Sequence, residues 1–122
     1  MNSKGRSKKR LGKFVGLGHP MVTSSAFRSL GGPALKYYIE LRDRFNGTNN
    51  GYLHLSCDEA VRLLHIGKGT ALRAQRELNE KGFIVLVKPG NWYERQATEW
   101  ALTDRPWGRN LPTNAWKNWG PK

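Results

Sequence analysis

Residues 56–103 constrain this chain more than any other part of it, because local signals there follow one another in an order that few folds accommodate. Ser56 precedes Cys57 and Glu59 stands three residues on. The serine hydroxyl can therefore cap the Glu59 amide while the glutamate reaches back, a capping box that starts a helix at Cys57. Ala60, Leu63 and Leu64 recur at helical spacing and predict its buried face, with Val61 at the edge and Asp58 and Arg62 elsewhere on the wheel. His65, Ile66 and Gly67 interrupt the pattern, and Gly67 is expected to supply the φ that a tight interhelical turn requires. A second helix begins at Lys68. Ala71, Ala74 and Leu78 face inward, which leaves Gly69, Leu72, Arg73, Arg76 and Glu80 outward and Lys68 and Thr70 at the flanks. Gly82 ends this helix and residues 83–87 read as a strand. Pro89, Gly90 and Asn91 turn the chain, and residues 96–103 return with Ala97, Glu99 and Ala101 on one side and Thr98, Trp100 and Leu102 on the other.

Upstream, residues 14–21 carry several glycines and read as extended, packed on through Phe14, Val15 and Leu17. Thr23 or Ser24 caps a short helix through Leu30, with Phe27 and Leu30 inward, and Gly31 and Gly32 stop it. Pro33 then opens a scaffold helix over residues 34–45, whose apolar face is Ala34, Tyr38, Leu41 and Phe45 with Leu35 and Ile39 beside them. Glu40, Arg42, Asp43 and Arg44 read as its solvated side. Asn46, Gly47, Asn49, Asn50 and Gly51 are turn signals. Leu53 and Leu55 mark a small strand able to join the hairpin as a third member. The expected order is helix, helix, strand, helix, helix, strand, strand, an α+β chain.

Residues Leu64-His65-Ile66-Gly67-Lys68-Gly69-Thr70-Ala71, Arg73-Ala74, Glu77-Leu78 and Lys81-Gly82-Phe83-Ile84 carry a resemblance to winged helix domains. Those domains occur in small bacterial regulators of the GntR and MarR type and in phage and plasmid replication-associated proteins. The resemblance covers roughly two thirds of the chain. It implies a winged helix-turn-helix: a three-helix core, an extra N-terminal helix and a small antiparallel β-hairpin wing. It also implies that the second helix enters the DNA major groove and that the wing lies along the backbone or minor groove. Gly67 and Gly69 stand where many relatives carry serine, and Gln75 where an aliphatic residue is usual.

Charge supports a polyanionic partner. The formal net charge is +12, and residues 1–13 carry six basic and no acidic side chains. This arm, with Arg6, Lys8, Lys9 and Arg10 at its centre, has no hydrophobic periodicity and too few apolar residues for a membrane anchor. The expected division is an arm over 1–13, a domain over 14–103 and a tail over 104–122. No apolar run approaches a signal or spanning length, so the expected location is cytoplasmic and nucleoid-associated. The single cysteine, Cys57, excludes an intrachain disulfide. A thiol at a helix start could act as a redox sensor, but a structural role is favoured. His19, His54 and His65 have no metal-ligand spacing, and Gly67-Lys68-Gly69-Thr70 lacks the first glycine of a phosphate loop, where Arg62 stands. No catalytic residue, metal or cofactor is assigned.

The candidate DNA-binding residues follow from reach and charge. Arg73 and Arg76 are long enough for bidentate pairing with guanine, and Leu72 could touch a thymine methyl. Lys68, Gly69 and Thr70 lie at the helix start, where amides and the dipole favour phosphate. Lys88, Asn91, Tyr93 and Arg95 are wing candidates, with Trp92 a packing residue, and Arg6, Lys8, Lys9 and Arg10 add affinity from the arm. A solvated face with Arg73–Glu77 and Arg76–Glu80 pairs is the plain alternative, although each pair is worth only a few tenths of a kcal/mol. In the tail, Trp107 is expected to pack on its own domain. Trp116 and Trp119 either do likewise or meet DNA, a protein partner or a second subunit. The expected function is sequence-specific double-stranded DNA binding by a small transcriptional regulator or mobile-element factor. RNA or ribosome binding and a winged-helix protein-interaction module are the alternatives, and a homodimer is left open.

Overall fold

The computed structural model describes residues 13–91 and 96–120. Among them are five α-helices and one two-stranded antiparallel sheet, so the chain is α+β. The helices are α1 (His19–Val22), α2 (Ser25–Arg28), α3 (Gly32–Asp43), α4 (Cys57–Leu64) and α5 (Lys68–Glu80). Strands β1 (Ile84–Lys88) and β2 (Glu99–Leu102) follow, and a 3₁₀ turn spans Ala115–Asn118. No described helix is long and apolar enough to cross a membrane.

α3 is the axle of the fold and packs mainly on α5. Its buried residues are Ala34, Tyr37, Tyr38, Leu41 and Arg42, spaced so that they form one stripe. Tyr38 and Phe27 both meet the Phe83 ring edge-on, at centroid distances of 5.6 and 6.1 Å. Phe83 is fully buried, which stabilises the fold by about 1.5–3 kcal/mol relative to leaving the ring in water. Ala71, Ala74 and Leu78 of α5 reach the same core, and the two alanines let the helices approach closely.

Local signals account for the element ends. The capping box at Ser56 forms as expected: the Glu59 amide donates to Ser56 Oγ at 3.1 Å and the Ser56 amide donates back to Glu59 Oε1 at 3.4 Å. α5 ends in a paired C-terminal motif in which the Phe83 amide donates to the Leu78 carbonyl and the Gly82 amide to that of Asn79, with Gly82 at φ +86°. A Cβ at Gly82 would also lie 2.5 Å from the carbonyl carbon of Ala115. Glycine is thus required twice there, by conformation and by contact.

Several expectations need correction. The left-handed residue of the α4–α5 turn is His65, at φ 56°, while Gly67 is extended and only precedes α5. Leu63 is exposed, because the inner face of α4 is centred on Cys57, Ala60, Val61 and Leu64, and Leu63 lies about 100° round the wheel from Leu64. Residues 19–22 form a helical turn with Pro20 near its start, where an extended segment is expected. The third strand shrinks to a single bridge between Leu53 and Trp100, although Leu53 and Leu55 are buried as anticipated. β2 does not alternate: Trp100, Ala101, Leu102 and Thr103 are all buried. The Asn50 side chain holds its outer edge, accepting from the Leu102 amide at 2.7 Å and donating to the Leu102 carbonyl at 3.0 Å.

Arg42 is the largest departure. It belongs to the buried stripe, where its guanidinium grips Asp104 with two bonds of 2.8 and 2.9 Å and donates to the Tyr38 hydroxyl at 3.1 Å and the Gly16 carbonyl at 2.8 Å. One side chain therefore ties residues from both ends of the described chain to α3. The segment after Asp104 returns to the core. Trp107 covers Gly51, the Asn114 amide donates to the Thr103 carbonyl at 2.9 Å, and Trp116 is buried beside the α5 terminus.

Candidate nucleic-acid interface

The outward face of α5 is Gly69, Leu72, Arg73, Arg76 and Glu80, all exposed, with Lys68 exposed and Thr70 half-buried at the flanks. This face exists because the opposite one is consumed by Ala71, Ala74 and Leu78. The start of α5 has neither a side-chain cap nor an acidic residue in its first turn. The positive end of the helix dipole is therefore not offset from within the helix.

Neither arginine is held by the glutamates four residues on. Glu77 turns instead to the Gly31 amide at 3.1 Å and to Lys81 Nζ at 2.9 Å, fastening α5 to the start of α3. Arg73 folds back to donate from Nη2 to Thr70 Oγ1 at 3.1 Å. Gly69 leaves room for it, since a Cβ there would lie 3.4 Å from Arg73 Nη1. Among the described residues Arg76 makes no ion pair. Lys68 reaches Asp58 at 3.5 Å, both well exposed, a pairing worth little in water.

Behind this face lies a polar support. The Tyr37 hydroxyl donates to the Leu55 carbonyl and accepts from Gln75 Nε2 at 2.6 Å. Burial pushes the Tyr37 phenol well above its usual pKa, with the Gln75 bond opposing, so it stays neutral and able to donate. Gln75, out of place in an aliphatic pattern, is thereby explained. Sequence reasoning missed this strut, although Tyr37 stands at the correct helical spacing between Ala34 and Leu41.

Gln75 also lines a cleft of about 360 Å³ between the start of α4 and the hairpin, with Ser56, Cys57, Gly90, Asn91 and Thr98. Among the described residues no charged side chain lines it. Asn91 and Gln96 exchange two backbone bonds of 2.9 Å and close the root of the hairpin tip. Gly90 is pressed onto it so tightly that a Cβ would meet the Gln96 carbonyl oxygen at 2.8 Å. Lys88 is exposed at the end of β1. The other residues expected in a wing, Trp92, Tyr93 and Arg95, lie outside the described residues, as do Arg6, Lys8, Lys9 and Arg10 of the expected arm.

Comparisons with protein-family models, with curated proteins and with solved structures found no match. The chemistry must be read from the chain itself. The Cys57 thiol is pushed up by burial, which outweighs the lowering effect of the Lys68 charge; the reactive thiolate is disfavoured. Among the described residues no three His, Cys, Asp or Glu side chains could hold a metal ion. Of the two alternatives the sequence leaves for Trp116 and Trp119, Trp116 takes packing on its own domain and is buried in the core, whereas Trp119 is 37% exposed with Lys81 Nζ 4.7 Å from its ring centroid.

Proposed function

We propose that this protein is a winged helix-turn-helix module that binds double-stranded DNA sequence-specifically. It would serve as a small transcriptional regulator or a mobile-element factor in the cytoplasm, associated with the nucleoid. In this reading α5 lies in the major groove, where Arg73 and Arg76 pair with guanine edges and Leu72 meets a thymine methyl. Lys68, Gly69 and Thr70 approach phosphates at the helix start. The hairpin carries Lys88 and Asn91, with Tyr93 and Arg95 beyond, against the backbone or minor groove. The basic arm adds electrostatic affinity.

One observation carries the reading: two arginines, unclaimed by neighbouring glutamates, stand on the outer face of a helix whose inner face is locked into the core. The weak i, i+4 pairs open to them on a solvated face, with Glu77 and Glu80, are not formed, and Glu77 is taken by Gly31 and Lys81. Selection from a random duplex library at about physiological salt tests it, because nonspecific binding there is only about 10⁻⁴ to 10⁻⁶ M. A recovered motif that disappears with Arg73→Ala and Arg76→Ala supports the reading, and the symmetry of the motif reports one or two bound copies. Enrichment of no motif would reject it.

A further inference from the structure

Away from α5, the C-terminal end of α3 carries a second chemistry. Arg42 fixes Gly16 there through its carbonyl, and residues 13–16 form one wall of a cleft of about 460 Å³, within the range of ordinary ligand clefts. Phe14, Lys13, Phe45 and Arg105 line it. Phe14 is 79% exposed, and the Arg105 guanidinium lies 6.0 Å over the Phe45 ring. Asp104, the acidic residue beside Arg105, is already committed to Arg42. Among the described residues neither Lys13 nor Arg105 has a carboxylate partner. Lys4, Arg6, Lys8, Lys9 and Arg10 precede Lys13 in the sequence.

An exposed apolar ring is ordinary by itself. An exposed ring that shares a cleft with two cations lacking carboxylate partners offers both a stacking platform and phosphate contacts. A duplex gives such a platform nothing to stack on, because its bases already stack on one another; an unpaired strand does.

We propose that this cleft binds unpaired nucleotides of a single nucleic-acid strand, with a base stacked on Phe14 and with Lys13 and Arg105 on the flanking phosphates. The site uses no residue of α5 and does not depend on the duplex reading.

The test is fluorescence polarisation of the full-length protein with a short oligo(U) RNA, an oligo(dT) DNA and a duplex, run in parallel. Phe14→Ala should weaken single-strand binding about 5- to 150-fold, the range for loss of one stacked base, and leave duplex binding unchanged. Phe14→Trp should restore it, whereas Phe14→Leu, apolar but without a π-face, should not. Arg73→Ala with Arg76→Ala should leave single-strand binding intact, which separates failure of this site from failure of the α5 reading. Equal binding of the two oligonucleotides locates recognition in base and phosphate, and RNA preference adds the 2′-hydroxyl; both support the site. Single-strand binding by Phe14→Ala as tight as that of the unaltered chain, or an equal loss on duplex, overturns it.

Discussion

α5 and the segment that follows β2 treat their large side chains in opposite ways. α5 is periodic, buries small residues and Leu78, and displays Leu72, Arg73 and Arg76. Residues 104–120 have no regular element beyond a single 3₁₀ turn, display Leu111, bury Trp116 beside the end of α5 and fasten the half-buried Asp104 carboxylate to Arg42 of α3. A regular helix can afford an outward face because its hydrogen bonds are internal. An irregular segment must be fastened residue by residue, so its strongest side chains are spent on attachment. Conspicuous residues in the two regions therefore mean different things: on α5 they are available to a partner, and in the C-terminal segment they are mostly structural.

The comparison breaks if substitutions in the two regions have exchanged effects. The largest separation is expected for Arg73→Ala with Arg76→Ala. If each arginine makes a bidentate base contact, specificity falls by about 2–6 kcal/mol in total, while the thermal midpoint stays put because both side chains are exposed. Titrations against specific and scrambled duplexes, with calorimetry, check both halves. Asp104→Ala should act in reverse, costing about 3–5 kcal/mol of stability because it leaves the Arg42 charge buried without its partner. Trp116→Ala should cost a similar about 3–5 kcal/mol through the cavity it leaves. In both, the fraction that remains folded should bind duplex as well as the unaltered chain.

The paired tyrosines sharpen the comparison, since Tyr37 supports α5 through Gln75 and Tyr38 supports Arg42 and so the C-terminal segment. Burial raises both phenol pKa values, with Arg42 opposing at Tyr38 and Gln75 at Tyr37. A raised folded-state pKa means that the native state holds its protons above pH 10 where the unfolded chain releases them. Stability is thus complete below about pH 10 and falls above it, by about 1.4 kcal/mol per pH unit for each tyrosine. Alkaline denaturation should flatten by one such increment in Tyr37→Phe and another in Tyr38→Phe. Smallest is Ser56→Ala, expected to cost about 1 kcal/mol by removing the cap of α4, with duplex affinity unchanged; denaturant midpoints suffice to measure it.

What could be read in advance depended on the range of the interaction. The cap at Ser56, the stop at Gly82, the inner residues of α5 and its outward set are consequences of helical spacing and of bonds within a few residues. Those held in the structure. Tyr37 shares the periodicity of its helix and is legible from it. Arg42 was not legible: a cation on a helix reads as solvated unless the carboxylate that will bury it is known, and Asp104 is 62 residues away. The burial of both faces of β2 was hidden for the same reason, since alternation predicts one wet face only until another segment covers it. Leu63 fails differently, because a short helix leaves its inner direction to the neighbours rather than to its own composition.

The sequence by itself determined the α+β class, the ends of α4 and α5, and the division of α5 into a packed and a displayed face. These rest on backbone geometry and local hydrogen bonds. Only the tertiary structure decided that Arg42 and Asp104 meet inside the fold, that Gln75 braces Tyr37, that Trp116 belongs to the core, and that Phe14 and Arg105 share a cleft. Each joins residues far apart in the chain, and the burial that gives each its energy does not exist until the chain has folded.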